Sequence, residues 1–373
     1  MTDLVVVSLE AWDGVWRRHQ HLVSRLLLGD PDLRVLFVEP PADPLHDARR
    51  GARVRRGRGL RPGDLAGAEG RLWLFQPTKW LPRRVDPQAD ARVSSSIVGA
   101  ARRAGLQDPV LWLNDPLSAD LLRRTGWPAL YDVTDDWLLA DRPPREHDRL
   151  VEGEGYLLAH CRHVVVCSPR LLETKKSQRV TLLQNAVDLD AYREDLPRPA
   201  DLPAGTVALY VGTLHRDRLD VELSADLARA LAGTAILVFV GPVALEAGDQ
   251  ELLTAAGALL LGPREHATVP SYLTNADALV VPHVVTDFTE SLDPIKVYEY
   301  LAAGRRIVST PVAGFRELGE PEARVVPREA FVGAVLDALA ETEPLPPPRA
   351  AGVPTWDERA AVMRSVVEDL RSP

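Results

Sequence analysis

Short, nearly continuous apolar runs recur along this chain, separated by polar loops and by stretches whose apolar positions return every three to four residues. Residues 4–8, 34–39, 71–75, 110–113, 129–133, 163–167 and 180–183 are runs of the first kind. A strand with one face in water alternates, so unbroken Val/Leu/Ile runs predict strands buried on both faces. The helical spacing predicts helices from about Arg18 to Leu28 and over residues 90–104, 117–124 and 146–160. Strands alternating with helices imply a parallel sheet with helical crossovers, hence one doubly wound domain.

The alternation then breaks and restarts. Residues 196–205 contain Pro197, Pro199 and Pro203, a composition that predicts an interdomain linker. Beyond it, strands are predicted at 207–211, 236–240, 258–261, 278–281, 307–309 and 324–326, with helices at 219–231, 269–276, 294–303 and 329–339. The expected architecture is therefore α/β: two tandem doubly wound, Rossmann-like domains facing a cleft, the usual ligand site of open α/β folds. Pro344, Pro346, Pro347 and Pro348 predict a stiff spacer. The helix expected over 355–370 would return to the first domain. The domains are thus 1–195 with 355–373, and 196–354.

Composition removes some function classes. A chain of 373 residues with 44 basic and 53 acidic side chains carries a net charge of -9, which argues against nucleic acid as a partner. No apolar run approaches the ~20 residues of a membrane span, and the N-terminus enters a strand without a signal peptide, so a cytoplasmic location is expected. Cys161 and Cys167 are the only cysteines, too few for a disulfide framework or a metal cluster. Against the acidic background, residues 49–61 hold Arg49, Arg50, Arg53, Arg55, Arg56, Arg58 and Arg61. This segment is either a solvated loop or a patch for an anionic membrane surface or phosphorylated acceptor.

Chemistry concentrates in residues 293–304. Asp293 and Pro294 are suited to cap and start a helix, and Gly304 to end it. Lys296 falls in the first turn, where the helix dipole disfavours a cation unless an anion is present. Glu299 lies one turn on, among Ile295, Val297, Tyr298, Tyr300 and Leu301. Three residues apart, Lys296 and Glu299 share a face. They either form an internal ion pair or receive a ligand with a phosphate at the helix start and hydroxyls one turn away, as a nucleotide sugar has. A second cation source follows the 207–211 strand: Gly212-Thr213-Leu214-His215-Arg216-Asp217-Arg218, where glycine admits a phosphate and arginine can grip two of its oxygens.

These segments, with Val240-Gly241-Pro242, Leu261-Gly262-Pro263, Pro270-Ser271-Tyr272-Leu273 and Ala276-Asp277, resemble the donor-binding domain of GT-B glycosyltransferases, most closely the retaining enzymes of family four. Trp16-Arg17-Arg18-His19-Gln20-His21-Leu22, Phe37-Val38-Glu39-Pro40-Pro41, Tyr131–Trp137 and Leu183–Asp188 resemble the first domain more loosely. The resemblance implies a hexosyltransferase-type enzyme that uses a nucleoside-diphosphate sugar as co-substrate, with no cofactor and no bound metal. Glu299 matches the second glutamate of the family's E-x7-E motif, which holds the donor ribose, and Lys296 lies where the diphosphate is received. The basic-loop positions correspond to Thr213 and Arg218; the second cation is kept as arginine and the first is lost, with Arg216 or His215 as substitutes. The first motif glutamate corresponds to Ser291, flanked by Glu290 and Asp293. Where relatives place a sugar-contacting His, this chain has Asp132-Val133-Thr134-Asp135-Asp136, which makes Asp135 the candidate there.

The implied roles are catalysis by Lys296, Arg218 and Asp135, and donor binding by Gly212, Thr213, Arg216, Arg218, Ser291, Asp293, Ile295, Lys296 and Glu299. Asp13, Trp16, Arg18, His19 and Asp136 are the acceptor-side candidates. Cations and a helix N-terminus stabilise a departing diphosphate; an inverting enzyme would need a general base as well, with Asp13 or His19 in reach. The acceptor would be a small molecule, a glycan or a lipid-linked sugar, met in the cytoplasm or at the inner face of a bacterial membrane. A nucleotide-sugar 2-epimerase and an inactive partner subunit are the competing readings.

Overall fold

The computed structural model describes residues 2–49, 53–81, 83, 85–140, 142–192, 196–342 and 352–371. The chain forms two compact units. The first comprises Met1–Asp13, Arg17–Gln184 and Asp357–Pro373; the second comprises Gly14–Trp16 and Asn185–Trp356.

Eight strands build the sheet of the first unit: β1 (Thr2–Val7), β2 (Leu33–Val38), β3 (Gly59–Pro62), β4 (Leu72–Gln76), β5 (Val110–Leu113), β6 (Ala129–Val133), β7 (His163–Val166) and β8 (Val180–Leu182). Their order is β3-β4-β2-β1-β5-β6-β7-β8, parallel except for the antiparallel edge strand β3. The order reverses direction between β1 and β5. One face buries Val5, Val7, Leu36, Leu111, Tyr131 and Val164, and β5, β6 and β7 are buried along their whole length. That is why these runs lack polar alternation.

Six strands form the second sheet: β9 (Val207–Val211), β10 (Ile236–Val240), β11 (Leu259–Gly262), β12 (Ala278–Val281), β13 (Arg306–Ser309) and β14 (Arg324–Val325). The order is β11-β10-β9-β12-β13-β14, all parallel, with the reversal between β9 and β12. Successive residues serve opposite faces, as a pleated strand requires. Val207, Leu209 and Val211 join the core that holds the helix Ile295–Ala303, whereas Ala208 and Tyr210 join the one under the helix Val221–Ala230.

The expected strands and long helices all form, with ends shifted by a few residues. The edge strand β3 and the helices Pro44–Arg49, Pro169–Thr174 and Ala247–Ala255 go beyond the pattern. Of the nine residues in Ala247–Ala255 only Leu253 is buried, so this helix presents almost no apolar stripe to read. The proline-bearing stretch 196–205 is not a linker. Leu202 is buried in the core of the second unit and Arg198 donates to Asn275 O at 2.9 Å. The chain instead changes unit at Gln184/Asn185, where the Asn185 amide is bonded to the Asp293 carboxylate. Pro344 and Pro346–348 lie outside the described residues. The helix Trp356–Arg371 belongs to the first unit from Asp357 onward, with Arg25 Nε on Asp357 Oδ1 at 3.1 Å and Arg162 reaching Leu370 O.

Candidate functional site

Ligands of doubly wound sheets bind beyond the carboxyl ends of the strands, where the strand order reverses. In the second unit that point lies past β9 and β12. Strand β9 runs into Gly212 at φ 139°, a backbone state that side chains avoid. A Cβ there would lie 3.0 Å from Lys296 Nζ, so glycine lets the lysine close over the strand end. Beside it, Gly241 is packed so tightly that a Cβ would stand 2.1 Å from Gly212 O.

Lys296 comes from the first turn of the helix Ile295–Ala303. Pro294 is the N-cap, with no side-chain hydrogen bond to the first turn, and Gly304 ends the helix at φ 62°. The expectation that Asp293 caps this helix is not met. Its Oδ1 accepts from Tyr298 Oη at 2.7 Å and its Oδ2 from Asn185 N, which makes it a buried clasp between two segments of the unit. The N-cap residue, a proline, supplies no side-chain acceptor to the first turn. Tyr300 Oη accepts from Val211 N at 2.9 Å and fixes the helix against the end of β9.

The internal Lys296–Glu299 ion pair does not form. Lys296 Nζ sits 3.8 Å above the Tyr210 ring and 3.4 Å from His283 Nε2. Glu299 is half-buried with no hydrogen-bond or ion-pair partner among the described residues. Burial and the neighbouring Arg218 push the Lys296 ammonium well below its ordinary pKa. Burial raises Glu299 to about 7, with Lys296 pulling the other way. Arg218, half-buried over the Phe288 ring at 5.6 Å, adds a second cation beside Lys296, which has no carboxylate at ion-pair distance among the described residues. An anion held between Lys296 and the helix start would relieve the like-charge repulsion and meet the positive end of the helix dipole.

His283 was not singled out in the sequence. It follows β12 by two residues, is buried, and its Nε2 lies 3.1 Å from Tyr210 Oη. Burial, then Lys296 and Arg218, depress its pKa well below the usual histidine range, so it is neutral beside the lysine. A polar residue just past a fully apolar strand at the reversal point was the available signal.

Other donor-side candidates lie elsewhere. Ser291 is fully buried and its Oγ donates to Phe288 O at 2.7 Å, so this side chain is closed to a ligand. Arg216 is exposed and committed to Asp249 and Glu222 at 2.8–2.9 Å. Thr213 accepts from Tyr210 Oη through its carbonyl, and His215 Nδ1 lies 3.3 Å from Asp217. Glu290 pairs with Arg316.

In the first unit the sequence candidates separate. Asp132, at the end of β6, is wholly buried and receives Arg18 Nε at 3.2 Å and Trp112 Nε1 at 3.1 Å, with His19 Nε2 at 3.4 Å. Burial raises its pKa, but Arg18 and His19 outweigh this and hold it at about 2. Arg18 and His19 are thus a buried carboxylate's partners, not groups presented to an acceptor. Asp136 is likewise buried, bound at 2.7 Å to Lys175 Nζ, which also holds Glu154 at 2.7 Å. Asp135 is half-buried and accepts from Thr134 Oγ1 at 3.3 Å. Asp13 is exposed, 3.5 Å from Arg17. Trp16 belongs to the second unit, stacked on His266 with ring centroids 5.2 Å apart. Among the described residues no group of three His, Cys, Asp or Glu side chains is placed to hold a metal.

Residues 205–341, within the second unit, match the family model described as "Glycosyl transferases group 1". A Bacillus subtilis protein named as teichuronic acid biosynthesis glycosyltransferase TuaH is 25% identical over 240 residues. The match spans 57% of this chain and 57% of that one. Among solved structures, a UDP-forming α,α-trehalose-phosphate synthase from Burkholderia vietnamiensis superposes with a TM-score of 0.64 at 15% identity, covering 100% of this chain and 97% of the other. HepE of Anabaena, solved with UDP and glucose, gives 0.59 at 14% identity, covering 99% and 97%. At such identities the likeness establishes the fold, which is that of GT-B glycosyltransferases.

Proposed function

We propose that this chain transfers a sugar from a nucleoside-diphosphate donor to an acceptor hydroxyl, with retention and without a metal. The carrying observation is the cluster at the end of β9: Lys296 and Arg218, half-buried beside a helix start whose N-cap proline gives no side-chain bond, with no carboxylate at ion-pair distance of Lys296 among the described residues. Displacing a nucleoside diphosphate leaves negative charge on its phosphates, and cations fixed in place beforehand stabilise that charge without reorganising. Lys296 and the amides of Ile295 and Lys296 would receive the diphosphate, and Arg218 would share the charge. Glu299, one turn along the same helix, would accept from the ribose hydroxyls; its unpartnered carboxylate supports that role. Neutral His283 would keep the lysine aimed at the phosphate.

UDP is the favoured nucleotide, because one of the solved structures described above is of a UDP-forming enzyme and the other holds UDP. In the first unit Asp135 is the proposed contact to the sugars, since Asp132 and Asp136 are held by buried cations. The test is incubation with UDP-, GDP- and dTDP-hexoses, with and without sugar acceptors, followed by mass spectrometry and NMR of the products. A new glycoside supports transfer. Donor returned only as its epimer, or no nucleotide raising the melting temperature, overturns it.

A further inference from the structure

Thirteen large apolar side chains are exposed among the described residues; Val54, Trp80, Leu81 and Val85 come from loops of the first unit and Leu45 from the helix Pro44–Arg49. The loops are tied together: Gly57 N donates to Thr78 Oγ1 at 2.9 Å, Ala42 bridges Thr78, and the Arg56 guanidinium lies 4.8 Å over the Trp80 ring. Trp80 and Leu81, 54% and 43% exposed, line a groove of about 430 Å3 beside the edge strand β3. Isolated exposed apolar residues are ordinary on any surface; an exposed tryptophan grouped with leucine and valines is not.

The carboxylates of residues 41–45 and 76–92 are paired: Asp43 with Lys79, Asp86 with Arg92 and Asp90 with Arg83. Arg58 and Arg61 are taken up by the buried Glu39, each at 2.8 Å, so they are anchors of the loop. Arg53, Arg55 and Arg56 are exposed and have no carboxylate at ion-pair distance among the described residues. On a chain of net charge -9, three uncompensated arginines beside a tryptophan form a local basic and apolar face.

We propose that this face docks on an anionic lipid bilayer, the arginines meeting headgroup phosphates and Trp80, Leu81, Val54 and Val85 entering the interface. Tryptophan is enriched at that depth, and arginines near a negative membrane surface each contribute about a fivefold gain in binding. The inference is independent of the sugar-transfer reading, because it uses no residue of the second unit.

The experiment is sedimentation of the full chain with vesicles of phosphatidylcholine alone or with 30% phosphatidylglycerol. Binding is expected to the anionic vesicles only and to weaken as salt is raised. The triple variant R53Q/R55Q/R56Q should bind at least tenfold more weakly. The double variant W80S/L81S should do the same, with unchanged melting temperature because all five side chains are exposed. Exposed Leu182→Ser, elsewhere on the unit, serves as the control and should bind normally. Equal binding to neutral vesicles, binding untouched by both variants, or capture of a detergent-solubilised prenyl phosphate without vesicle binding would each overturn the proposal.

Discussion

Replacing Lys296 with methionine separates a ligand-binding role from a structural one. The side chain keeps its length and its packing over Tyr210, and only the ammonium is removed. In the ligand-free protein that ammonium is poorly placed: burial and Arg218 both disfavour its charge. Its folded-state pKa lies below the unfolded value, so the unfolded chain binds more protons in between. The lysine therefore costs stability at pH 7, and the cost fades as pH climbs toward the unfolded lysine value. Lys296→Met should thus leave the melting temperature at pH 7 unchanged or raised. Donor binding should behave oppositely. A hydrogen bond between charged groups is worth about 1.5–3 kcal/mol, so UDP should bind about 10- to 150-fold more weakly. Uridine, lacking phosphates, should bind both proteins alike. Calorimetry in two buffers of different ionisation enthalpy adds a sign. Diphosphate restores the lysine's proton, so UDP binding above the depressed pKa should take up a proton in the parent and not in the variant. A destabilised variant that binds UDP normally would refute this account of the lysine.

Glu299 carries the opposite linkage. Its folded pKa of about 7 exceeds the unfolded carboxyl value, so stability is lost as pH rises from about 4.5 through 7; Glu299→Gln should flatten that slope in melting curves and lose preference for UDP over its 2′,3′-dideoxy analogue. Gly212→Ala should destabilise by about 1–3 kcal/mol in urea titrations, since it places a side chain at φ 139° against Lys296, and a normal midpoint would contradict the close approach. Asp132→Asn should cost about 3–5 kcal/mol because Arg18 is left buried without its counter-charge. The parent should also lose the stability contributed by Asp132 only as pH falls from about 4 to about 2, since its pKa is held down to about 2; an acid titration in which variant and parent keep the same spacing there would dismiss that pairing.

The central strands β5, β6, β7, β9 and β12 were legible because each is buried along its whole length and therefore spelled without interruption. The helix Ile295–Ala303 was legible too, but its start was not. Asp293 has the chemistry of a cap, yet Asn185 and Tyr298 claim its carboxylate. A pairing 108 residues away leaves no mark on local spacing. Arg18 and Asp136 misled for the same reason: a charged residue near a strand end reads as presented, while the fold had supplied each with a buried partner, Asp132 and Lys175. Stretch 196–205 had the prolines of a linker, but Leu202 has a core to enter. His283 escaped because its importance comes from Tyr210 and Lys296, which approach it from other strands and helices. What local sequence conveyed was Lys296, since a cation in a helix's first turn is anomalous whatever surrounds it.

The most direct test of the central claim is a crystal structure of the chain soaked with UDP. The account predicts the diphosphate at the start of the helix Ile295–Ala303, within hydrogen-bonding distance of Lys296 Nζ, and the ribose hydroxyls on the Glu299 carboxylate. A nucleotide bound elsewhere, or seated there with its phosphates turned away from Lys296 and Arg218, would contradict it.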